Sequence, residues 1–276
     1  MKRREFIKTS VAASALAGLV PAWQSASAAE PVSREGQEYY ELRVYRLKSG
    51  ASHDLLDAYL GKALLPGLNR LGLKPVGVFR QQDRTEALAP NEVREASAVL
   101  VLIPYASMAA FGTAGARLNA DPEYRKAGAE YLSAPKASPA FERIDSWLML
   151  AFAGMPLLEL PAYSREKKAR MFELRTYESY SELKALKKVE MFNSGEIEIM
   201  REVGLGPVFY GQALIGSNLP HLTYMVSAEN QDAHKKHWDA FRAHPKWDQM
   251  KSDPQYADTV SKITTRFLVP TAYSQI

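Results

Sequence analysis

The sequence predicts an α+β protein built from two tandem ferredoxin-like units, each β-α-β-β-α-β. The units are expected to pack sheet to sheet as an intramolecular α/β barrel. Three observations predict it. Glu41-Leu42-Arg43-Val44-Tyr45 recurs as Glu173-Leu174-Arg175-Thr176-Tyr177, 132 residues on. Gly72-Leu73-Lys74-Pro75-Val76 recurs as Gly204-Leu205-Gly206-Pro207-Val208 at the same spacing. Asp121-Pro122-Glu123-Tyr124 is echoed by His244-Pro245-Lys246-Trp247 at 123, and the shortfall fits a longer first-unit loop around Gln82 to Glu95. Ordered matches at one offset are the mark of a duplicated unit. One such unit leaves a sheet face uncovered, and a second on the same chain can cover it.

Each unit opens on an alternating strand, 39–47 or 171–177. A helix follows. In the first unit Ser52 fits an N-cap, and Leu55, Leu56, Tyr59, Leu60 and Ala63 make an apolar stripe. In the second, Leu183, Leu186 and Val189 begin the helical region and Ile197, Met200 and Val203 continue it, with Gly195 marking a bend. Second strands are expected at 76–81 and 208–214, and third strands at 98–103 and 222–227. Helical regions at 107–131 and 231–251 and closing strands at 147–153 and 265–269 complete the pattern. The resulting boundaries are a first domain at 39–155 and a second at 171–276, with linkers at 29–38 and 156–170.

Residues 1–28 stand apart. Lys2-Arg3-Arg4-Glu5-Phe6-Ile7-Lys8 precedes a short apolar run, then Ser25-Ala26-Ser27-Ala28. A basic end, an apolar run too short for a permanent span and a small-residue cleavage site form an export signal. The arginine pair and the residues after it fit the twin-arginine pattern, so a periplasmic or secreted protein cut after Ala28 is expected. The whole chain carries a net charge of +4, but Lys2, Arg3, Arg4 and Lys8 against Glu5 supply most of it. A nearly neutral mature chain has no field to attract nucleic acid or anionic membrane. With 46% apolar and 24% charged residues, the 276-residue chain is neither disordered nor a multi-span membrane protein. The absence of cysteine excludes disulfides, thiolate metal sites, iron–sulfur clusters and cysteine nucleophiles.

Strand alternation divides the candidate site residues. Leu42 and Val44 share one face and Glu41, Arg43 and Tyr45 the other; Leu174 and Thr176 oppose Glu173, Arg175 and Tyr177. The aliphatic face is expected to pack on helices and the Glu/Arg/Tyr face to look into the space between the sheets. Charges there need partners, so the reading stays open between structural Glu–Arg pairs and a polar pocket. Tyr210 and Tyr224 are further phenols that could orient a ligand or simply fill the core. His234 and His237 lie three residues apart on an expected helix, a weak metal spacing, and no metal site is expected. No Gly-x-Ser-x-Gly elbow or glycine-rich phosphate loop is present, which argues against triad hydrolase, kinase and dinucleotide chemistry. Nothing requires a cofactor.

On these residues the mature chain resembles the NIPSNAP family, as two tandem domains. The likeness is stronger in the second, through Phe172-Glu173-Leu174-Arg175-Thr176-Tyr177 and Met191-Phe192-Asn193-Ser194-Gly195-Glu196-Ile197. Trp238-x-x-Phe241-Arg242-Ala243-His244-Pro245-x-Trp247 and the terminal Tyr273-Ser274-Gln275-Ile276 extend it. The first domain keeps Tyr40-Glu41-Leu42-Arg43-x-Tyr45 but has Tyr59-Leu60-Gly61-Lys62-Ala63 where the other has the Met-Phe-Asn-x-Gly-Glu stretch. The resemblance implies the dimeric α/β-barrel class and no settled catalytic activity. The expectation is an exported protein of unestablished activity that binds a small molecule in the barrel cavity, with cofactor-independent enzyme chemistry open. Arg43, Tyr45, Arg175, Tyr177, Asn193 and Tyr224 are the expected ligand-binding residues, and Glu196 is the candidate acid/base, against its competing role as a helix-start glutamate. The alternative is a non-catalytic structural or protein-interaction module. Exposed sheet edges would allow a homodimer.

Overall fold

The computed structural model describes residues 36–47, 53–82 and 98–276. The segment expected to direct export, Ser52 and the loop residues 83–97 lie outside the described residues. The strands are β1 (Tyr39–Arg46), β2 (Gly77–Gln81), β3 (Ala98–Tyr105), β4 (Arg143–Ala151), β5 (Met171–Glu178), β6 (Gly206–Ile215), β7 (His221–Ala228) and β8 (Lys262–Pro270). Between β1 and β2 run α1 (Asp54–Tyr59) and α2 (Leu65–Arg70), joined by a π-helical turn at Leu60–Leu64. Between β3 and β4 come α3 (Met108–Ala120), α4 (Pro122–Ala127) and α5 (Ala129–Leu132), and α6 (Ala162–Arg165) lies in the linker. The second unit repeats the plan with α7 (Glu182–Met191), a π turn at Phe192–Glu196, α8 (Ile197–Glu202), α9 (Gln231–Arg242) and α10 (Pro245–Ser252).

The eight strands close into one barrel in the order β1-β3-β2-β8-β5-β7-β6-β4. Each half has the ferredoxin-like order, and the halves join antiparallel through β2–β8 and β4–β6. Closure uses every strand edge, so the edge-to-edge homodimer expected from the sequence has no edge to form on among the described strands. None of the described helices is long and apolar enough to cross a membrane.

The repeat is visible in register. Arg43 faces Val101 across β1–β3, and Arg175 faces Tyr224 across β5–β7. Ser107 caps α3 by accepting from Ala110 N at 3.1 Å, and Asn230 caps α9 by accepting from Ala233 N at 2.9 Å. These pairs place β3 and α3 against β7 and α9 at the 123 spacing, while the two π turns lie 132 apart. Gly195 sits inside the second turn at φ 143°, a backbone state that side chains rarely adopt, and there the helix kinks.

The strand faces are the reverse of those expected. Leu42, Val44, Phe79, Leu100 and Leu102 of the first unit meet Phe172, Leu174, Phe209, Met225 and Leu268 of the second in one buried cluster inside the barrel. Tyr45 and Tyr177 instead lie in the clusters formed with the helices outside the sheet. An eight-stranded barrel has an interior just wide enough for its own side chains to fill. Aliphatic groups suit most of that space, because a buried charge needs partners; Arg266, opposite Leu174 in β8, is a buried charged side chain on the same inward face. Under the helices, Glu173 finds donors on α9, and Arg43 and Arg175 keep a route to solvent.

Candidate functional site

The space between the sheets, expected to be a polar cavity, is therefore filled mainly by apolar side chains, with Arg266 and the Thr176–Thr223 pair on the same face, and the predicted site residues assemble elsewhere. They form two groups, one per unit, between sheet and helices.

In the first unit Arg43 grips Glu41 through Nε at 2.6 Å and Nη2 at 2.9 Å. Tyr105 OH and Ser146 Oγ donate to the same carboxylate at 2.8 and 3.0 Å. Burial alone would raise the Glu41 pKa; hydrogen bonds and charge from Arg43, with Tyr105 and Ser146, turn the shift downward. Tyr45 is buried against the helices, where Tyr59 and Tyr124 share a 2.9 Å hydroxyl bond.

The second unit is built differently on the same backbone. Arg175 Nη1 donates to Glu173 at 2.7 Å, and its Nε donates to Tyr177 OH at 3.1 Å. Tyr177 and Tyr224 hydroxyls lie 2.9 Å apart. The second Glu173 oxygen accepts from His234 Nε2 at 2.8 Å and Trp238 Nε1 at 2.6 Å, both on α9. Here too burial pushes the carboxyl pKa up, and His234 and Arg175 more than reverse it.

Beside this network lies a buried ion pair. Lys188 Nζ on α7 donates to Glu196 Oε2 at 2.8 Å, with side-chain exposures of 5% and 2%. Burial pushes the Glu196 carboxyl above its ordinary range, and the Lys188 charge only partly offsets this. The Lys188 ammonium stands over the rings of Phe192, Trp247 and Tyr177 at 4.8, 5.5 and 5.7 Å from their centres. The Arg175 guanidinium stands over Trp238 at 4.9 Å and Tyr177 at 5.5 Å, so both cations flank one phenol ring. Tyr210 stacks on Tyr224 at 5.3 Å, and burial raises both phenol pKa values well above the ordinary one.

Of the predicted residues, Arg175, Tyr177, Tyr224 and Glu196 thus come together, while Arg43 and Tyr45 belong to the separate first-unit group. Asn193 does not join either; its Oδ1 accepts from Gly154 N at 2.8 Å and ties the π turn to the chain after β4. Lys188, His234 and Trp238 complete the second-unit site and were not singled out as ligand-binding residues from sequence. Their positions on helix faces toward β5 carried the only signal. His237 packs beneath Gly204, and His244 bonds Glu202 at 3.1 Å rather than capping α10 as Asp121 caps α4. Among the described residues no three His, Asp or Glu side chains converge as a metal site would require.

The repeat offers an internal control. At the first-unit positions matching Lys188 and Glu196 stand Leu56 and Leu64, both 1% exposed. Leu60 replaces Phe192, Val101 replaces Tyr224, Phe111 replaces His234 and Gly115 replaces Trp238. The same fold is therefore satisfied by hydrocarbon at these positions.

Comparison with known proteins gives the same division. Residues 172–275, the second unit, match the NIPSNAP family model, and the first unit lies outside the match. No curated protein matches the chain. A Fusobacterium nucleatum protein provisionally named a monooxygenase is 9% identical and covers 86% of this chain and 94% of its own, with TM-score 0.53. A protein of the same provisional name from Lactobacillus acidophilus is 8% identical over 85% of this chain and 94% of its own, with TM-score 0.52. An uncharacterized NIPSNAP-like domain protein from Burkholderia xenovorans is 20% identical, covering 38% of this chain and 88% of its own, with TM-score 0.34. The first two likenesses establish the barrel fold and carry no chemistry with them.

Proposed function

We propose that the second unit binds a small molecule between its sheet and its helices, and that Glu196 holds or passes a proton there. The observation that carries this is the buried Lys188–Glu196 pair, set where the first unit has Leu56 and Leu64. Desolvating two charges is expensive, and apolar replacement of a buried pair is often neutral or stabilising. A fold that accepts leucines in one unit has no packing need for ions in the other. A carboxyl with a raised pKa beside an ammonium and two phenols is the equipment of acid–base chemistry. The activity itself is unassigned. The first-unit Glu41–Arg43 pair is read as structural, since both carboxylate oxygens are taken up by Arg43, Tyr105 and Ser146.

We also propose export by the twin-arginine route, on the strength of Arg3-Arg4 and the residues that follow. One experiment addresses both proposals: native and denaturing mass spectrometry of the protein recovered from the cell envelope of its host. The expected result is a chain starting at Ala29 with extra mass that denaturation releases, and loss of that mass in a folded Lys188→Leu/Glu196→Leu variant. Retention of the ligand by that variant overturns the site. So does a bare wild-type protein whose melting no fraction of a host small-molecule extract shifts. A chain retaining residues 1–28 in the cytoplasm overturns export, and the same spectrum gives the oligomeric state.

A further inference from the structure

We infer that the ligand of the second-unit site is a small aromatic carboxylate. The inference rests on the proposed site and adds the class of molecule it takes.

The argument is a count of donors. A guanidinium can only donate, so the Tyr177 oxygen accepts from Arg175 Nε. The Tyr177–Tyr224 bond then uses one of the two phenol protons, whichever residue donates it. The other has no acceptor among the described residues, although Tyr177 is only 7% exposed and Tyr224 fully buried. Lys188 has three N–H groups. One goes to Glu196 and one to the weak acceptor Met191 Sδ at 3.3 Å, which leaves the third facing aromatic rings. Arg175 Nη2 also lacks an acceptor among the described residues, on a side chain that is 20% exposed. Three donors thus stand around the Tyr177 ring, against one carboxylate oxygen, Glu196 Oε1, that receives none of them.

Unused buried donors are costly, and an incoming acceptor relieves that cost. Two of the donors are cationic and already paired with Glu173 and Glu196; Glu196, buried and held above its ordinary pKa, can take up a proton and leave the Lys188 charge to an arriving oxyanion. A carboxylate presents two acceptor oxygens in the fork that a guanidinium matches. The surrounding surface decides what carries it. Trp238 and Trp247, only partly buried, are the rings beside the two cations that an incoming molecule can meet, while Tyr177 and Phe192 are buried behind them. Planar apolar rings pack on such walls better than flexible polar chains do.

The test is a titration of the chain from Ala29 onward, followed by NMR of the indole N–H groups of Trp147, Trp238 and Trp247. Benzoate is the anionic probe, benzyl alcohol the neutral one and benzylamine the cationic one. Saturable shifts with benzoate at Trp238 and Trp247 are expected, with affinity at least about tenfold above either other probe, which is what one charge-assisted pair supplies. Arg175→Gln should weaken benzoate by about tenfold or more without changing benzyl alcohol. Equal binding of all three probes, no binding of benzoate, or benzoate affinity untouched by Arg175→Gln overturns the carboxylate inference. The wild-type probe series decides the matter even if the variant does not fold. A retained ligand that is neutral or non-aromatic, yet lost from Lys188→Leu/Glu196→Leu, would sink this inference and leave the site itself standing.

Discussion

The Lys188–Glu196 pair makes a prediction whose size follows from its setting. The two groups share one 2.8 Å contact and are almost completely removed from water. Glu196→Leu alone strands the Lys188 ammonium among rings and should cost about 3–5 kcal/mol. Lys188→Leu alone strands a carboxylate, which escapes by taking a proton. The Glu196 pKa is already raised by burial, and loss of the ammonium raises it further. A group held above its unfolded value near 4.5 gives stability that is full below that value and lost as pH rises through the folded pKa. The Lys188→Leu penalty should therefore be smallest at acid pH, below the unfolded value near 4.5, and grow as pH rises above it. The double variant restores the first-unit arrangement of two leucines, so it should be neutral or up to about 4 kcal/mol more stable than the wild type. Urea unfolding of the four proteins at two pH values measures all of this as a double-mutant cycle. A double variant as unstable as the sum of the single ones would refute the reasoning, because it would show that the pair is not coupled and that the leucine positions are not equivalent.

Other substitutions test the fold that holds the site. Gly195→Ala forces a side chain onto a φ of 143° and should cost about 1–3 kcal/mol in thermal unfolding. Gly112→Ala, in α3 with open space where its Cβ would lie, should instead gain up to about 1 kcal/mol in the same assay. Phe172→Ala empties part of the barrel interior, where Phe172 is fully buried against Phe79, and should lose about 3–5 kcal/mol by urea titration. Asn230→Ala removes the α9 cap and should lower stability by about 1 kcal/mol, while fraying the end of the helix that carries His234.

The barrel was legible because its signals are local and repeated. Strand alternation, Gly72 and Gly204 after each first helix, and the Pro-headed segments at Pro122 and Pro245 each have a counterpart at a fixed distance. The sequence could not show which face of β1 looks inward. Leu42/Val44 and Glu41/Arg43/Tyr45 alternate equally well either way, since period two fixes the split and not its sense. The sense was set by closure: a barrel filled by its own side chains takes the mainly hydrocarbon face inside. Glu196 and Arg175 were legible as charges needing partners. Lys188 was hidden in the run Lys184-Ala-Leu-Lys187-Lys188, where only the helix phase separates the exposed Lys187 side from the buried Lys188. His234 was weighed against a metal role because its neighbour in sequence is His237, whereas its neighbour in space is Glu173.

The duplicated architecture also separates inherited geometry from chemistry. A π turn inside a helix is costly in packing and is often found at functional sites. Here it occurs in both units, and in the first it encloses Leu60, Ala63 and Leu64 within an apolar cluster. The turn alone is therefore no mark of function; it is part of how the helix pair crosses the sheet in this fold. What differs is what each turn holds against the sheet. The second presents Phe192 and Glu196 to Lys188 and Tyr224, and α9 adds His234 and Trp238 where α3 has Phe111 and Gly115. Six positions differ in concert on one backbone, and every one moves from hydrocarbon or hydrogen toward charge, hydrogen bonding or aromatic surface. For His234 and Trp238 the fold supplies a reason, since they give Glu173 the donors that Tyr105 gives Glu41 where the second unit has Ala228; for Lys188 and Glu196 it supplies none, because the first unit reaches the same fold with Leu56 and Leu64. The ligand proposed above would supply that reason.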